Sequence, residues 1–494
     1  MAVLLHTSDA LPPVGDYGQW FALTGSTPDL DPATRRNDLG RDLEKAFDAA
    51  REDWWRLGRD LAMTPGGDLA HTPTSAPFIS DFGQCLAWTR LVEQAAKDET
   101  TTLVICDDPW LFRHFAAIDG TAAGAAPDLA GKERALRLRG LGSRIKVAAK
   151  MLMAAIVTRR QRRNALKNAP TLLVYGHPRS TADGYDAYFG TLMQELPKLT
   201  RTIHTDCPPA RSTVLAADGR TMSLHAWGNP FFALALPFTR WRPQSSDWLV
   251  RRAAALENAG GALAMTRWQN HCQQRWLAAV RPKSVCWSWE NHPWERAFVR
   301  AARAFGIRTI GSQDTDVGRH QLNMSPASNP DGLDSIPTVI ACNGPAYRAE
   351  LLAWGIPEQR LSISGSYRIE KVAGKHYDGK GPVFVALSSN SAISTEMMAA
   401  VDAARNGRRT FVVKEHPMYP FAFTETDDVR RTHKTIPESP GISAVFFGTG
   451  LSGLEGLLSG TPTYRLLPSD RLGIDTLPVG CVAETVSAAG LAAA

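Results

Sequence analysis

Two short stretches in the last quarter of the chain carry residue types suited to holding a phosphate. Phe411-Val-Val-Lys-Glu-His-Pro417 places Lys414 and His416 directly after an apolar run and ends on Pro417. Ala444-Val-Phe-Phe-Gly-Thr-Gly-Leu-Ser-Gly-Leu-Glu-Gly-Leu-Leu-Ser-Gly-Thr-Pro-Thr-Tyr464 then reads as a strand, a Gly-rich turn, a short helix and a second strand. In a parallel sheet such a turn lies at the carboxyl end of its strand. There the next helix offers unpaired N–H groups and a positive dipole end to an anion. A nucleotide phosphate is the natural occupant, and Gly448, Thr449, Gly450 and Ser452 surround the position. The glycines also have a structural use, because they permit positive φ and close helix-to-sheet packing.

A second set of candidates lies in Ser284-Val-Cys-Trp-Ser-Trp-Glu-Asn-His-Pro-Trp-Glu-Arg-Ala-Phe298. The spacing predicts a strand ending at Glu290, a helix entered through Pro293, and a following strand ending at Gln313-Asp314. A carboxylate at a strand's carboxyl end should face an interdomain crevice and could take a proton from a hydroxyl. Glu290 leads that list, followed by Asp314, Asp107 and His177. Trp287, Trp289 and Trp294 read as core, Glu295 as half of an i,i+4-type pair on its own helix, and Asp107-Asp108 either as site-lining carboxylates at a strand end or as turn caps.

These groups need a scaffold of parallel strands alternating with helices, and the chain supplies it. At 494 residues it exceeds one hydrophobic core. The pattern predicts an α/β architecture with an N-terminal domain over 1–366, a crossing segment over 367–382, and a C-terminal nucleotide-binding domain over 383–494. Strands are expected at 101–106 and 170–175, an amphipathic helix at 38–61, a helix near 84–97 and another opening within 184–192; the first 35 residues show no clear element.

Composition narrows the function classes. With 44% hydrophobic and 21% charged residues the chain is an ordinary globular protein, which excludes wholesale disorder. Its seven cysteines are scattered without a Cys-x-x-Cys pair, so neither a disulfide framework nor a zinc site is signalled, and a reducing cytoplasm fits. No signal peptide and no transmembrane run are expected. The net charge of +6 conceals a segment, 132–167, that holds twelve Lys/Arg and one acid, Glu133. Two readings of it stand side by side: an interfacial helix on an anionic membrane, or a core helix with a solvated basic end. Nucleic acid is disfavoured, since no recognition motif accompanies the charge.

The C-terminal block resembles the donor half of GT-B glycosyltransferases, in which a helix Glu is followed five residues later by Gly and seven later by Pro, as are Glu455, Gly460 and Pro462. The resemblance implies two Rossmann-like doubly wound domains facing across a cleft, with Glu455 on the donor ribose. Phe447 stands where retaining families usually carry a second Glu. Lys414-Glu415-His416-Pro417 resembles the His-Pro motif of CMP-sialic acid and Kdo transferases and of polyol-phosphate polymerases. It implies a CMP-linked donor whose phosphate is shared by His416, Thr449 and Ser452. Glu290-Asn-His-Pro-Trp-Glu-Arg-Ala297 resembles bacterial capsule and lipopolysaccharide biosynthesis proteins, with Asp314 where their Gly-x-Gln-His turn has His. Together these resemblances imply a transferase of surface-polysaccharide biosynthesis that passes a sugar, an ulosonic acid being one candidate, from a nucleotide sugar to a glycan or lipid-linked glycan. They imply no metal and no cofactor beyond the donor, and a cytoplasmic enzyme peripheral on the inner membrane through 132–167. UDP-sugar 2-epimerases, CDP-polyol phosphotransferases and a catalytically inactive assembly subunit share the fold and remain alternatives.

Overall fold

The computed structural model describes every residue except 1, 24, 71–75, 78, 314, 367–376, 406–408, 418, 493 and 494. Asp314 and most of the expected crossing segment therefore lie outside the described residues. Apolar runs of three to six residues, bounded by Gly, Pro and Asp, form three sheets whose strand pairings are all parallel.

The first sheet contains β1 (Val3–His6), β2 (Gln19–Ala22), β3 (Thr102–Ile105) and β4 (Thr121–Ala123), in the order β2-β3-β1-β4. Strands within the first 35 residues correct the expectation that none would form there. They are too short to show a period, and fully buried β3 recruits both as neighbours.

The second sheet contains β5 (Pro170–Val174), β6 (Thr200–Ile203), β7 (Thr221–Ser223), β8 (Ser284–Trp289), β9 (Arg308–Gln313), β10 (Val339–Cys342) and β11 (Leu361–Ile363). Its order is β11-β10-β9-β8-β5-β6-β7. The third contains β12 (Val383–Ala386), β13 (Phe411–Lys414), β14 (Val429–Arg431), β15 (Ala444–Phe447), β16 (Thr463–Leu466) and β17 (Glu484–Val486), in the order β14-β13-β12-β15-β16-β17. Counted from the first strand of each, both orders run third, second, first, fourth, fifth, sixth, which is the doubly wound Rossmann arrangement. The second sheet adds one edge strand.

Two helix expectations need correction. The stretch 38–61 is two helices, Leu39–Ala49 and Arg51–Ala62, meeting at Ala50. Trp55 falls off the apolar stripe because its indole N–H reaches the Leu322 carbonyl (2.9 Å) and its ring packs edge-on against Trp354. Over 184–191 no helix forms; Asp186 bridges Gly190, and the helix is confined to Leu192–Glu195. Fully buried Arg201 causes this. It lies within 3.6 Å of the Asp186 carboxylate and donates to the carbonyls of Thr181 and Tyr185, holding that segment as a loop around itself.

Trp287 and Trp289 are fully buried and Trp294 nearly so, within a core that also contains Trp268 and Trp276. The β16–β17 connection ties the third sheet to the rest. Glu44, on helix Leu39–Ala49, accepts two hydrogen bonds from Arg465 of β16 (2.9 and 3.0 Å) and one from Arg319 (2.7 Å). Asp475 N–H donates to His320 Nδ1 (2.9 Å), and the backbone at Gly40 lies so close to the Pro468 carbonyl that a Cβ would sit 2.0 Å from it.

Candidate functional site

β15 delivers Gly448-Thr449-Gly450 at its carboxyl end, and helix Leu451–Leu458 starts immediately after. Gly450, the residue before that helix, has φ of 100°, a conformation strained for any residue with a Cβ. Phe447, at the position of the second Glu in retaining families, is a packing residue. It is buried, and a Cβ at Gly453 would come within 2.3 Å of its ring, so the pair fixes how the helix sits on the strand. The Thr449 and Ser388 hydroxyls are 3.1 Å apart and join the ends of β15 and β12, where the strand order reverses. Gly450 N–H donates to Thr476 Oγ1 (3.3 Å), and Ser452 and Glu455 are half-buried on the helix.

Beyond these strand ends opens a cleft of about 940 Å³. Ser388, Asn390, Tyr419 and Thr449 line one wall; Asp81, Gln84 and Glu257 belong to the other. A smaller pocket of about 270 Å³ is formed by Lys414, Glu415, His416, Pro417, Arg431 and His433. Tyr419 links the two, because it lines the cleft while its ring lies 5.2 Å from that of His416. Glu415 pairs with Arg431. The smaller pocket thus gathers two full cations and two histidines around one carboxylate. Arg431 and His433 escaped the sequence reading although a usable signal existed. Arg430-Arg431-Thr432-His433-Lys434 is a basic run, and β14 pairs in parallel with β13, so its end emerges beside His416.

Asp81 and Glu257 could not have been found that way. Asp81 is held by the two terminal guanidinium nitrogens of Arg252 (2.9 and 2.6 Å), whose Nε donates to Asp108 (2.8 Å). Asp108 caps helix Pro109–Ala116, as expected of a turn-capping residue, and Asp107 accepts from the backbone and hydroxyl of Ser8 (both 2.8 Å).

Glu290 is not among the residues lining the cleft, contrary to the expectation that it faces the crevice. It belongs to a separate cluster at the carboxyl edge of the second sheet. Its Oε2 is 2.7 Å from His292 Nε2, with the Glu290 carboxylate half-exposed and the imidazole buried. Between them Asn291 adopts φ of 55°, which directs the N–H groups of Glu290 and His292 onto the carboxylate of Glu295 (2.9 and 3.3 Å). Glu295 is therefore a wholly buried cap and not the i,i+4-type pair expected; its position beneath this turn is a tertiary feature that helix spacing does not show. Burial pushes its carboxyl up to about 8. Burial works against a charged His292, yet the bond to Glu290 outweighs it and holds the imidazole above its usual range. At the end of β6, burial raises Asp206 to about 6 and drops His204 to about 3, leaving that imidazole neutral. Burial, then Glu295, Glu290 and Asp206, push the neighbouring Tyr175 hydroxyl upward. His177, at the end of β5, accepts from Arg179 N–H (3.1 Å).

Two Rossmann-like units thus meet beside a cleft at a sheet's carboxyl edge. The fold is GT-B-like. Family models and curated proteins yield no match to the chain. Among solved structures it is similar to the glycosyltransferase SnogD from Streptomyces nogalater (15% identity over 66% of this chain and 88% of that one, TM-score 0.36). It is also similar to UDP-GlcNAc 2-epimerase from Neisseria meningitidis bound to UDP-GlcNAc (12% identity, 60% and 82%, TM-score 0.33). A third is Anabaena Alr3699/HepE in complex with UDP (9% identity, 66% and 88%, TM-score 0.35). Likeness this distant adds nothing about activity, and the fold is evident from the strand orders themselves.

Proposed function

We propose that the protein is a glycosyltransferase that takes a sugar from a nucleotide-activated donor, CMP-linked in the favoured reading, and passes it to a glycan acceptor of bacterial surface-polysaccharide synthesis. The observation that carries this reading is the placement of Thr449 on the cleft wall at a helix start, next to a pocket containing Lys414, His416, Arg431 and His433. Such a pocket complements a phosphate.

In this mechanism His416, Thr449, Gly450 and Ser452 hold the donor phosphate, Lys414 adds charge, and Glu455 takes ribose hydroxyls. The bond between the anomeric carbon and the phosphate oxygen breaks as the acceptor oxygen bonds to that carbon. Negative charge grows on the departing phosphate, so donors that bond it more strongly at that point accelerate the reaction. The acceptor hydroxyl also needs a base; Glu290, which His292 orients, is the proposed one and can serve only in an arrangement that brings it to the cleft it does not line here.

Nucleotide release from CMP-, CDP- and UDP-linked substrates tests the reading. CMP release from a CMP-sugar is expected, and His416→Ala should slow it by about 10- to 150-fold, the worth of one charge-assisted hydrogen bond. Release from a UDP-sugar alone would favour an epimerase-type donor; no release from any substrate, or full activity in a folded His416→Ala protein, would overturn the proposal.

A further inference from the structure

The helix Leu129–Thr158 has two apolar faces, and only one is covered. Leu136, Val147, Ala148, Met151 and Ala155 are buried, most of them in the core that contains Trp268. On the opposite face Leu138, Leu141, Ile145, Met153 and Ile156 recur at helical spacing, each at least 40% exposed. A surface helix ordinarily turns polar residues outward along that line.

Cations border the exposed stripe. At about 100° per residue, Arg139, Lys146 and Lys150 fall along one edge, and all three are exposed. Exposed Arg159, Arg160 and Arg163 continue from the helix end. Arg144 and Arg162 instead turn inward, to the carbonyls of Pro237 and Asn258 and of Ala226.

A second element makes the surface more apolar. Helix Pro230–Ala233 and the turn Leu236–Phe238 pack against the long helix through Ala233 and Leu236. Phe232 stacks inward on His271, but Phe231 is 79% exposed and Phe238 82%, with exposed Leu234 between them. Two nearly naked phenylalanines thus stand on elements packed directly against the long helix.

We propose that this face docks on an anionic lipid bilayer, with the long helix lying in the interface plane and Phe231 and Phe238 entering the acyl boundary. An apolar stripe with one cationic edge and a cationic end is complementary to that occupant. A second copy of the chain is a poor alternative, because it would bring one segment of twelve Lys/Arg and one acid against another. No helix among the described residues is long and apolar enough to cross a membrane, so the mode is surface binding. The buried face of the same helix, opposite the docked one, reaches toward the cleft. Gly140 of the long helix lies against the Asn258 carbonyl, just before the turn whose Gly260 and Ala262 line the cleft. Docking goes beyond the transferase reading and stands without it.

Cosedimentation with phosphatidylcholine vesicles, with and without phosphatidylglycerol, tests the proposal. The protein should bind the anionic vesicles, ignore the neutral ones, and release as salt rises. Phe231→Ser/Phe238→Ser and Ile145→Ser/Met153→Ser should each weaken binding by about tenfold or more. All four side chains are exposed, so thermal melting should match the parent; if one pair fails to fold, the other decides. No binding to anionic vesicles, unchanged binding in the folded variants, or a lipid-free dimer that the same variants dissolve would overturn the proposal.

Discussion

Glu290→Gln is expected to cut sugar transfer by about 10²–10⁴-fold, the usual effect of losing a general base, while leaving nucleotide affinity unchanged. The substitution keeps size and polarity but removes proton acceptance from a carboxylate that is half-exposed and 2.7 Å from His292. Donor affinity should survive because the proposed phosphate groups sit on the third sheet, whereas Glu290 ends a strand of the second. His292→Gln separates orientation from chemistry. It should lower the rate less than Glu290→Gln and change its pH dependence, since the Glu290–His292 bond holds the imidazole above its usual range. A parent rate in Glu290→Gln together with an inactive Asp314→Asn would move the base to Asp314. Donor affinity falling in parallel with rate would make Glu290 structural.

The second large effect concerns stability. Glu44→Gln should destabilise the protein by about 3–5 kcal/mol, because it leaves Arg465 buried and charged without its carboxylate. Both side chains are under a tenth exposed, and they join helix Leu39–Ala49 to β16 across two units of the fold. Burial disfavours charge on Arg465, but Glu44 more than restores it. Pairing Glu44→Gln with Arg465→Gln should recover part of the loss. Chemical denaturation of the two single variants and the double variant measures the coupling directly; a loss under about 1 kcal/mol for either single change would show that the pair does not hold the units together.

Much of the framework was legible because it rests on local signals. Buried strands such as Val383–Ala386 and Ala444–Phe447 are short apolar runs between punctuating residues, and Pro293 marks a helix entrance. What stayed hidden depends on distant partners. The strands at Val3–His6 and Gln19–Ala22 exist because Thr102–Ile105 pairs with both. Arg201 converts an apparent helix start into a loop through contacts with Thr181, Tyr185 and Asp186.

The candidate site divides the same way. Thr449 and His416 were visible from their own turns, and the structure places them on adjoining pockets. Asp81 was not, because the residue that holds it, Arg252, lies far along the chain. Glu295 was misread since helix spacing says nothing about the turn at Asn291 that brings two backbone N–H groups onto its carboxylate. Of the two readings of the basic segment, the core helix is what the burial shows on one face, while the other face is exposed and its membrane reading stays a proposal.

Nucleotide binding tests the central claim most directly. Thermal unfolding of the parent and of His416→Ala, each with CMP, CDP, UDP and GDP, compares the four ligands at one pocket. A ligand at 100 times its dissociation constant stabilises by about 2.7 kcal/mol, a readily measured shift. The account predicts that CMP and CDP raise the melting temperature more than UDP or GDP, and that His416→Ala loses most of that gain while melting normally without ligand. A clear shift with UDP or GDP and none with CMP or CDP would contradict the donor assignment, and an undiminished cytidine shift in His416→Ala would remove that histidine from the phosphate site.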